Sequence, residues 1–325
     1  MDSRLLLMVA VCIAVPAVLI GYIVLTEVFL RIFPERLKPR IRPWLWLAPA
    51  LIFLFVFLVY PTIGTIIRSF QNQAGTAFIG LDNYAWFFTN PSTLTSLKNN
   101  VLWVILTPLF CVTFGLLIAV LVDRVRYESV AKSIIFLPLA ISAVAAGVIW
   151  RFMYDYRPPG EPQTGTLNAL AGVFGAGPFP FITIDTLSLN TILLIVVMAW
   201  IWTGFCMVII SAALKGINPE LLEAARVDGA SEIQVFRGIT LPLLLPTIAV
   251  VATTIIITAL KTFDIVYTMT NGNFGTEVVA NRMIKEMFQN GNLSRASSIA
   301  VILLLAIIPV MALNVRRFRA QEALR

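Results

Sequence analysis

Residues 215–242 read KGINPELLEAARVDGASEIQVFRGITLP, a polar and charged stretch set between two long apolar runs. Asn218 suits a helix N-cap, and Pro219 suits the first helical position, where a missing N–H costs nothing. Glu220 follows in the first turn, where the helix dipole favours an acid. Gly229 can take the left-handed conformation that ends a helix. Ser231 with Gln234 then fits a capping box opening a second helix. The stretch is read as two short helices about a glycine, with Pro242 and Pro246 starting the apolar run beyond. Leu221, Leu222, Ala224 and Ala225 give the first helix an apolar, small-residue surface. That surface lets another protein approach closely, and it equally suits a helix resting on a membrane.

Outward from this stretch the chain is mostly apolar. Hydrophobic residues make up 59% of the 325 and charged residues only 13%, where soluble domains carry about a quarter. Seven runs, residues 5–25, 45–65, 101–121, 133–153, 189–214, 241–260 and 298–313, are read as membrane-crossing helices. The expected fold is therefore an all-α, polytopic membrane protein. The first run is too long for a signal-peptide core and no small-residue cleavage site follows, so it reads as a retained helix. Glu27, near its edge, reads as interfacial.

The formal charge of +7 is distributed by loop. Residues 31–42, 124–132, 215–237 and 316–325 hold five, three, three and four of the 24 lysines and arginines, all on one side if the spans alternate. The positive-inside rule then places the N-terminus outside and the C-terminus in the cytoplasm. No soluble basic module is present to read nucleic acid. The opposite-side loops, residues 69–100, 154–190 and 263–296, are rich in Gly, Pro, Asn and Thr. They fit either docking of an external partner or simple connection of spans.

Several chemistries are excluded. Histidine is absent, and Cys12, Cys111 and Cys206 each sit in an apolar run without a CxxC pair, reading as small core residues. No catalytic or metal-binding residue is assigned, and no G-x4-G-K-[ST] loop exists to hold ATP. A secondary transporter or channel is the alternative class. Such proteins usually carry intramembrane carboxylates, and the span middles here lack Asp and Glu. Lys261 and Asp264, at i and i+3 by the outer end of the sixth span, read as a structural ion pair.

At Glu223-Ala224-Ala225, with Gly229 after three intervening residues, then Ile239 and Leu241-Pro242, the sequence resembles the EAA motif of binding-protein-dependent ABC importer permeases, EAA-x3-G-x9-I-x-LP. The resemblance covers residues 42–325. It implies six core helices of the type I importer kind with the motif between the fourth and fifth, so the run at 5–25 is an extra N-terminal helix. It divides the chain into residues 1–42, an added helix with a basic linker, and residues 43–325, the permease core. Gly80-Leu81-Asp82-Asn83-Tyr84 and the stretch from Phe263-Asp264 through Thr270-Asn271-Gly272 to Thr276-Glu277 resemble segments of the carbohydrate permeases, most nearly the α-glucoside type related to the maltose and trehalose systems. The turn Asn271-Gly272-Asn273-Phe274-Gly275 departs from that group's usual G-G-P.

The resemblance also implies roles. Residues 215–240, with Glu223, Ala224, Ala225, Asp228 and Gly229, become a coupling helix seated in a groove of a separate ATPase. ATP and magnesium would sit on that partner, and this chain would hold no cofactor. The implied partners are two ATP-binding subunits, a second and different permease, and an external solute-binding protein. The implied cargo is a sugar or glucoside of maltose, trehalose or glucosylglycerol type, crossing the cytoplasmic (inner) membrane.

A polar solute crossing a bilayer needs faces that replace its hydration. Met198, Ile201, Trp202 and Phe205 share one helical face, as do Ile255, Thr258, Ala259 and Thr262. Aromatic faces can stack on sugar rings while hydroxyls hydrogen-bond them; the same residues can simply pack helix to helix. By the resemblance these positions match the faces lining the family's sugar site, with Met198, Ala259 and Thr262 standing where the family has asparagines.

Overall fold

A computed structural model describes residues 3–123 and 125–322, with some side chains in both terminal helices left undescribed. Arg124 and the side chains of the basic segment 316–325 lie outside what is described.

The chain divides into two compact units, Met1–Thr65 and Ile66–Arg325. In the first, α1 (Ser3–Leu30) and α2 (Lys38–Leu54) are tied by a Glu27–Arg42 ion pair of 2.7 Å. The Tyr22 hydroxyl also donates to the Leu45 carbonyl. Glu27 is thus paired at the helix edge. A π-helical turn, Phe55–Val59, carries α2 into α3 (Tyr60–Ser69), inside which the second unit begins.

The second unit continues with α4 (Asp82–Thr89), α5 (Pro91–Val122), α6 (Glu128–Phe136), α7 (Ala143–Met153), α8 (Thr166–Val173) and α9 (Leu189–Lys215). It ends with α10 (Pro219–Val227), α11 (Glu232–Val235), α12 (Leu241–Leu260), α13 (Asp264–Met269), α14 (Val279–Ile284) and α15 (Leu293–Glu322). No strand occurs among the described residues; Gln71 and Phe78 form a lone β-bridge. Among the described residues six helices are long and apolar enough to cross a membrane, and a bent pair, taken as one span, gives a seventh.

That bent pair is the main departure from the sequence reading. Residues 133–153 do not form one straight span: α6 continues through a 3-10 turn, Leu137–Ala140, and α7 leaves at 98°. Pro138 lies in the turn, and Ser142 caps α7, its hydroxyl accepting from the Ala145 N–H at 3.2 Å. Of the spans that start earlier than expected, two do so by nine or ten residues. Asn90 accepts from the N–H groups of Ser92 and Thr93 at 3.0 and 3.4 Å, with Pro91 first in the helix, so α5 runs 32 residues. The second short helix expected after Gly229 is instead the beginning of the sixth span. It joins α12 through a π-helical turn, Phe236–Thr240, giving one helix of 29 residues.

In lipid no hydrophobic force drives helices together, so close packing and polar contacts must. α5 and α9 pack in parallel with glycine at their nearest approach: a Cβ added at Gly115 would lie 2.6 Å from Cys206 Cβ. α12 runs the other way, and Asn100 near the start of α5 donates to the Leu260 carbonyl at its end, 3.2 Å. One core cluster gathers Trp103, Met198, Ile201, Ala259 and Val266. A second gathers Cys111, Ala119, Cys206, Met207 and Ile255. Cys111 and Cys206 are buried as expected, while Cys12 is exposed.

Opposite the α10 end, the turn between α13 and α14 is held by buried polar contacts. Asn99 donates to the carbonyls of Gly275 and Glu277, 2.6 and 2.8 Å. Glu277 pairs with Lys285 at 2.7 Å, and that lysine also donates to the Asn271 carbonyl at 2.6 Å. Lys261 and Asp264 form no ion pair: α12 stops at Leu260, and both side chains are exposed on either side of the break before α13.

Candidate functional site: the α10 turn

α9 ends at Lys215, and Gly216 and Ile217 turn the chain. Asn218 adopts extended backbone and accepts from the Glu220 N–H at 3.0 Å, with Pro219 first in the helix. The far end closes in a Schellman motif. The Ala230 N–H reaches the Ala225 carbonyl at 3.0 Å, and the Gly229 N–H reaches the Arg226 carbonyl at 3.1 Å. Gly229 sits at φ +84, and a Cβ there would meet only open space. Backbone conformation, not crowding, is therefore what requires glycine there. Ser231 and Gln234 complete the capping box, the Ser231 N–H meeting Gln234 Oε1 at 2.7 Å.

The two arms of this turn are stapled. Arg226 Nε donates to Glu232 Oε1 at 2.7 Å, and Nη2 to Oε2 at 3.4 Å. That hydrogen bond raises the Arg226 guanidinium pKa above its ordinary value. The helix is thus fixed at both ends and tied to the start of the α11–α12 span.

Its faces divide the motif residues. Glu220, Glu223, Ala224 and Val227, at i, i+3, i+4 and i+7, are all exposed, as are Leu221, Asp228 and Gly229. Ala225 and Leu222 are less open, Leu222 being half-buried. Leu222 and Arg226 turn inward to a cavity of about 610 Å³ completed by Asp123, Leu214, Phe236 and Thr240. The apolar surface expected from four residues is presented outward mainly by Leu221 and Ala224. The exposed face is mixed acidic and apolar and is flanked by Ile233, 67% exposed.

The residues expected to line a solute path lie elsewhere, at the centre of the helix bundle. Met198, Ile201, Ile255, Ala259 and Thr262 are buried, and Trp202, Phe205 and Thr258 are half-buried. The Trp202 and Phe205 rings meet edge-on at 5.6 Å. Thr258 donates to the Thr254 carbonyl at 2.9 Å. The two faces do come together, since Met198, Ile201 and Ala259 share a core with Trp202 against it. Trp103 and Thr107 of α5 have their indole N–H and hydroxyl buried without hydrogen-bond partners.

A broken helical bundle with a doubly capped, exposed turn between long spans is the architecture of an importer's membrane subunit. The chain belongs to the family of binding-protein-dependent transport system inner membrane components, whose family model matches residues 111–324. It is a multi-pass permease subunit of an ABC importer, a non-catalytic member of such assemblies.

It is 52% identical over 281 residues to the osmoprotective compounds uptake permease protein GgtC of Synechocystis sp., covering 86% of this chain and 100% of that one. It is 45% identical over 282 residues to the alpha-glucoside transport system permease protein AglF of Rhizobium meliloti, covering 86% and 83%. Among solved structures, a chain of a bacterial ABC transporter involved in the import of the acidic polysaccharide alginate matches with a TM-score of 0.73 and 26% identity, covering 87% of this chain and 98% of that one.

Proposed function

We propose that this subunit carries a sugar or glucoside, of α-glucoside, maltose, trehalose or glucosylglycerol type, across the inner membrane. An external solute-binding protein delivers it, and two ATP-binding subunits drive the cycle. α10 is the contact with one of them, through Glu223, Ala224, Ala225, Asp228 and Gly229. ATP and magnesium are held on that partner. A second, different permease completes the membrane portion. Residues 1–42 are an addition to a core of residues 43–325, with the N-terminus outside and the C-terminus cytoplasmic.

The observation that carries this reading is the α10 turn. Its face is exposed, capped at both ends and stapled to a span, as a surface receiving a push must be. The substrate class rests on likeness to relatives named for osmoprotective compounds and alpha-glucosides. The path would run against Met198, Ile201, Trp202, Phe205, Ile255, Thr258, Ala259 and Thr262, with the second permease completing it.

Uptake of radiolabelled glucosylglycerol, trehalose and maltose by cells with and without the gene tests it. Uptake of at least one should vanish without this chain and also when ATP hydrolysis by the partner is blocked. Uptake of none of the three would remove the substrate class. Uptake driven by an ion gradient, without ATP, would remove the importer cycle.

A further inference from the structure

The coupling turn touches more than one span. Lys215, the last residue of α9 and four positions before α10, donates across to Glu128 at 2.6 Å. Glu128 is the first residue of α6 and so of the bent span. Lys132, one turn further on, also pairs with Glu128 and donates to the Ser211 hydroxyl of α9. Ser211 is 1% exposed, and both the Glu128 and Lys132 side chains are about four-fifths shielded. Two cations therefore share one carboxylate while a buried hydroxyl fixes the second of them. These contacts cross-link α6 and the end of α9.

At the other end of the bent span, α7 packs on α13. A Cβ at Gly147 would stand 2.9 Å from Thr268 Cβ, so the two helices approach closely there. α13 follows α12 after a short break, and α12 with α11 is the span stapled to α10 by Arg226–Glu232. The chain thus makes a closed mechanical loop. One arm runs from α10 through Arg226–Glu232 and α12 to α13. The other runs from α10 through Lys215–Glu128 and α6 around the 98° bend to α7. The arms rejoin where Gly147 meets Thr268.

We infer that Glu128 is a positioning residue for transport: with Lys215, Lys132 and Ser211 it links α10 to the bent span, so that α7 moves as a second output beside α12. Coupling needs elements with discrete arrangements joined by contacts that both ends bias. A sharp bend between two stiff helices is such an element, and a charge-assisted link is the means of pulling it. The inference rests on the reading of α10 as the contact with the ATP-binding subunit.

The test uses the whole assembled importer with Cys12, Cys111 and Cys206 replaced by serine or alanine. A single cysteine is placed at Arg151, exposed on α7, or at Lys261, exposed beyond α12. Maleimide labelling rates are compared without nucleotide and with the ATP-binding subunits trapped by vanadate. Both sites should change rate on trapping. In Glu128→Ala the change at position 151 should shrink by about threefold or more while that at 261 persists. Glu128→Lys combined with Lys215→Glu should restore it, which a merely structural role would not require. Ser211→Ala, a milder change, should reduce the response at 151 alone if Glu128→Ala fails to assemble. An unchanged response at 151 in either variant overturns the inference. Loss of response at 261 in the unaltered importer would instead overturn the reading of α10.

Discussion

Arg226 and Glu232 close a two-bond ion pair across the Gly229 turn, joining the last helical turn of α10 to the first of the α11–α12 span. Neither side chain is deeply buried, and exposed pairs contribute little to stability. The pair's consequence is geometric: it biases α10 and the span to move together. Arg226→Ala should leave the melting temperature of the purified subunit nearly unchanged while lowering substrate uptake per ATP hydrolysed. Hydrolysis and uptake measured in the same vesicles check this. Equal falls in both would show that the pair only supports assembly.

Gly229 holds φ +84 in the Schellman turn. A side chain in left-handed backbone costs about 1–2 kcal/mol, and here the surroundings offer no clash to add to it. Gly229→Ala should therefore weaken recovery of the ATP-binding subunit on affinity purification, and Gly229→Asn should weaken it less. Recovery unchanged in Gly229→Val would show that the turn's conformation is unimportant to the partner.

The Glu277–Lys285 pair lies at the opposite end of the helices and is shielded on both sides. Removing one partner leaves the other charge buried, a loss of about 3–5 kcal/mol. Glu277→Ala should lower the detergent-solubilised melting temperature sharply. The double variant Glu277→Ala with Lys285→Met should recover most of it, as thermal unfolding followed by size-exclusion chromatography would report.

Gly204 fits α9 against the last residues of α6 in the bent span. A Cβ there would lie 2.4 Å from the Ile135 carbonyl oxygen, which is backbone and cannot swing aside. Overpacking of this kind costs about 1–3 kcal/mol. Gly204→Val should reduce the yield of folded protein, whereas Gly172→Ala, where a Cβ meets nothing, should not.

What was legible in the sequence depended on how local the cause was. The caps of α10 could be read directly, because Asn218-Pro219, Gly229 and Ser231–Gln234 act through their own and neighbouring backbone. The bend at residues 141–142 could not be, because residues 133–153 are apolar on both sides of it and periodicity does not register a change of direction. Asn90-Pro91 carries the same start signal as Asn218-Pro219, yet the apolar run that follows begins later and drew the boundary with it. The helix faces were hardest. In a membrane the lipid-facing and protein-facing sides are both apolar, so the spacing of Met198, Ile201, Trp202 and Phe205 gave a shared face but not its burial. Glu128 and Lys215 stand far apart along the chain, and nothing local to either residue announces their link.

The most direct measurement is site-specific photo-crosslinking in intact membranes, with a photoreactive side chain placed at position 224 or at position 174, an exposed phenylalanine of the opposite-side loop. Adducts between position 224 and the ATP-binding subunit, and none from position 174 to that subunit, are the predicted result. Absence of the adduct at 224 in an assembled, transporting complex, or its appearance at 174, would contradict the assignment of α10 as the site where ATP-driven motion enters this chain.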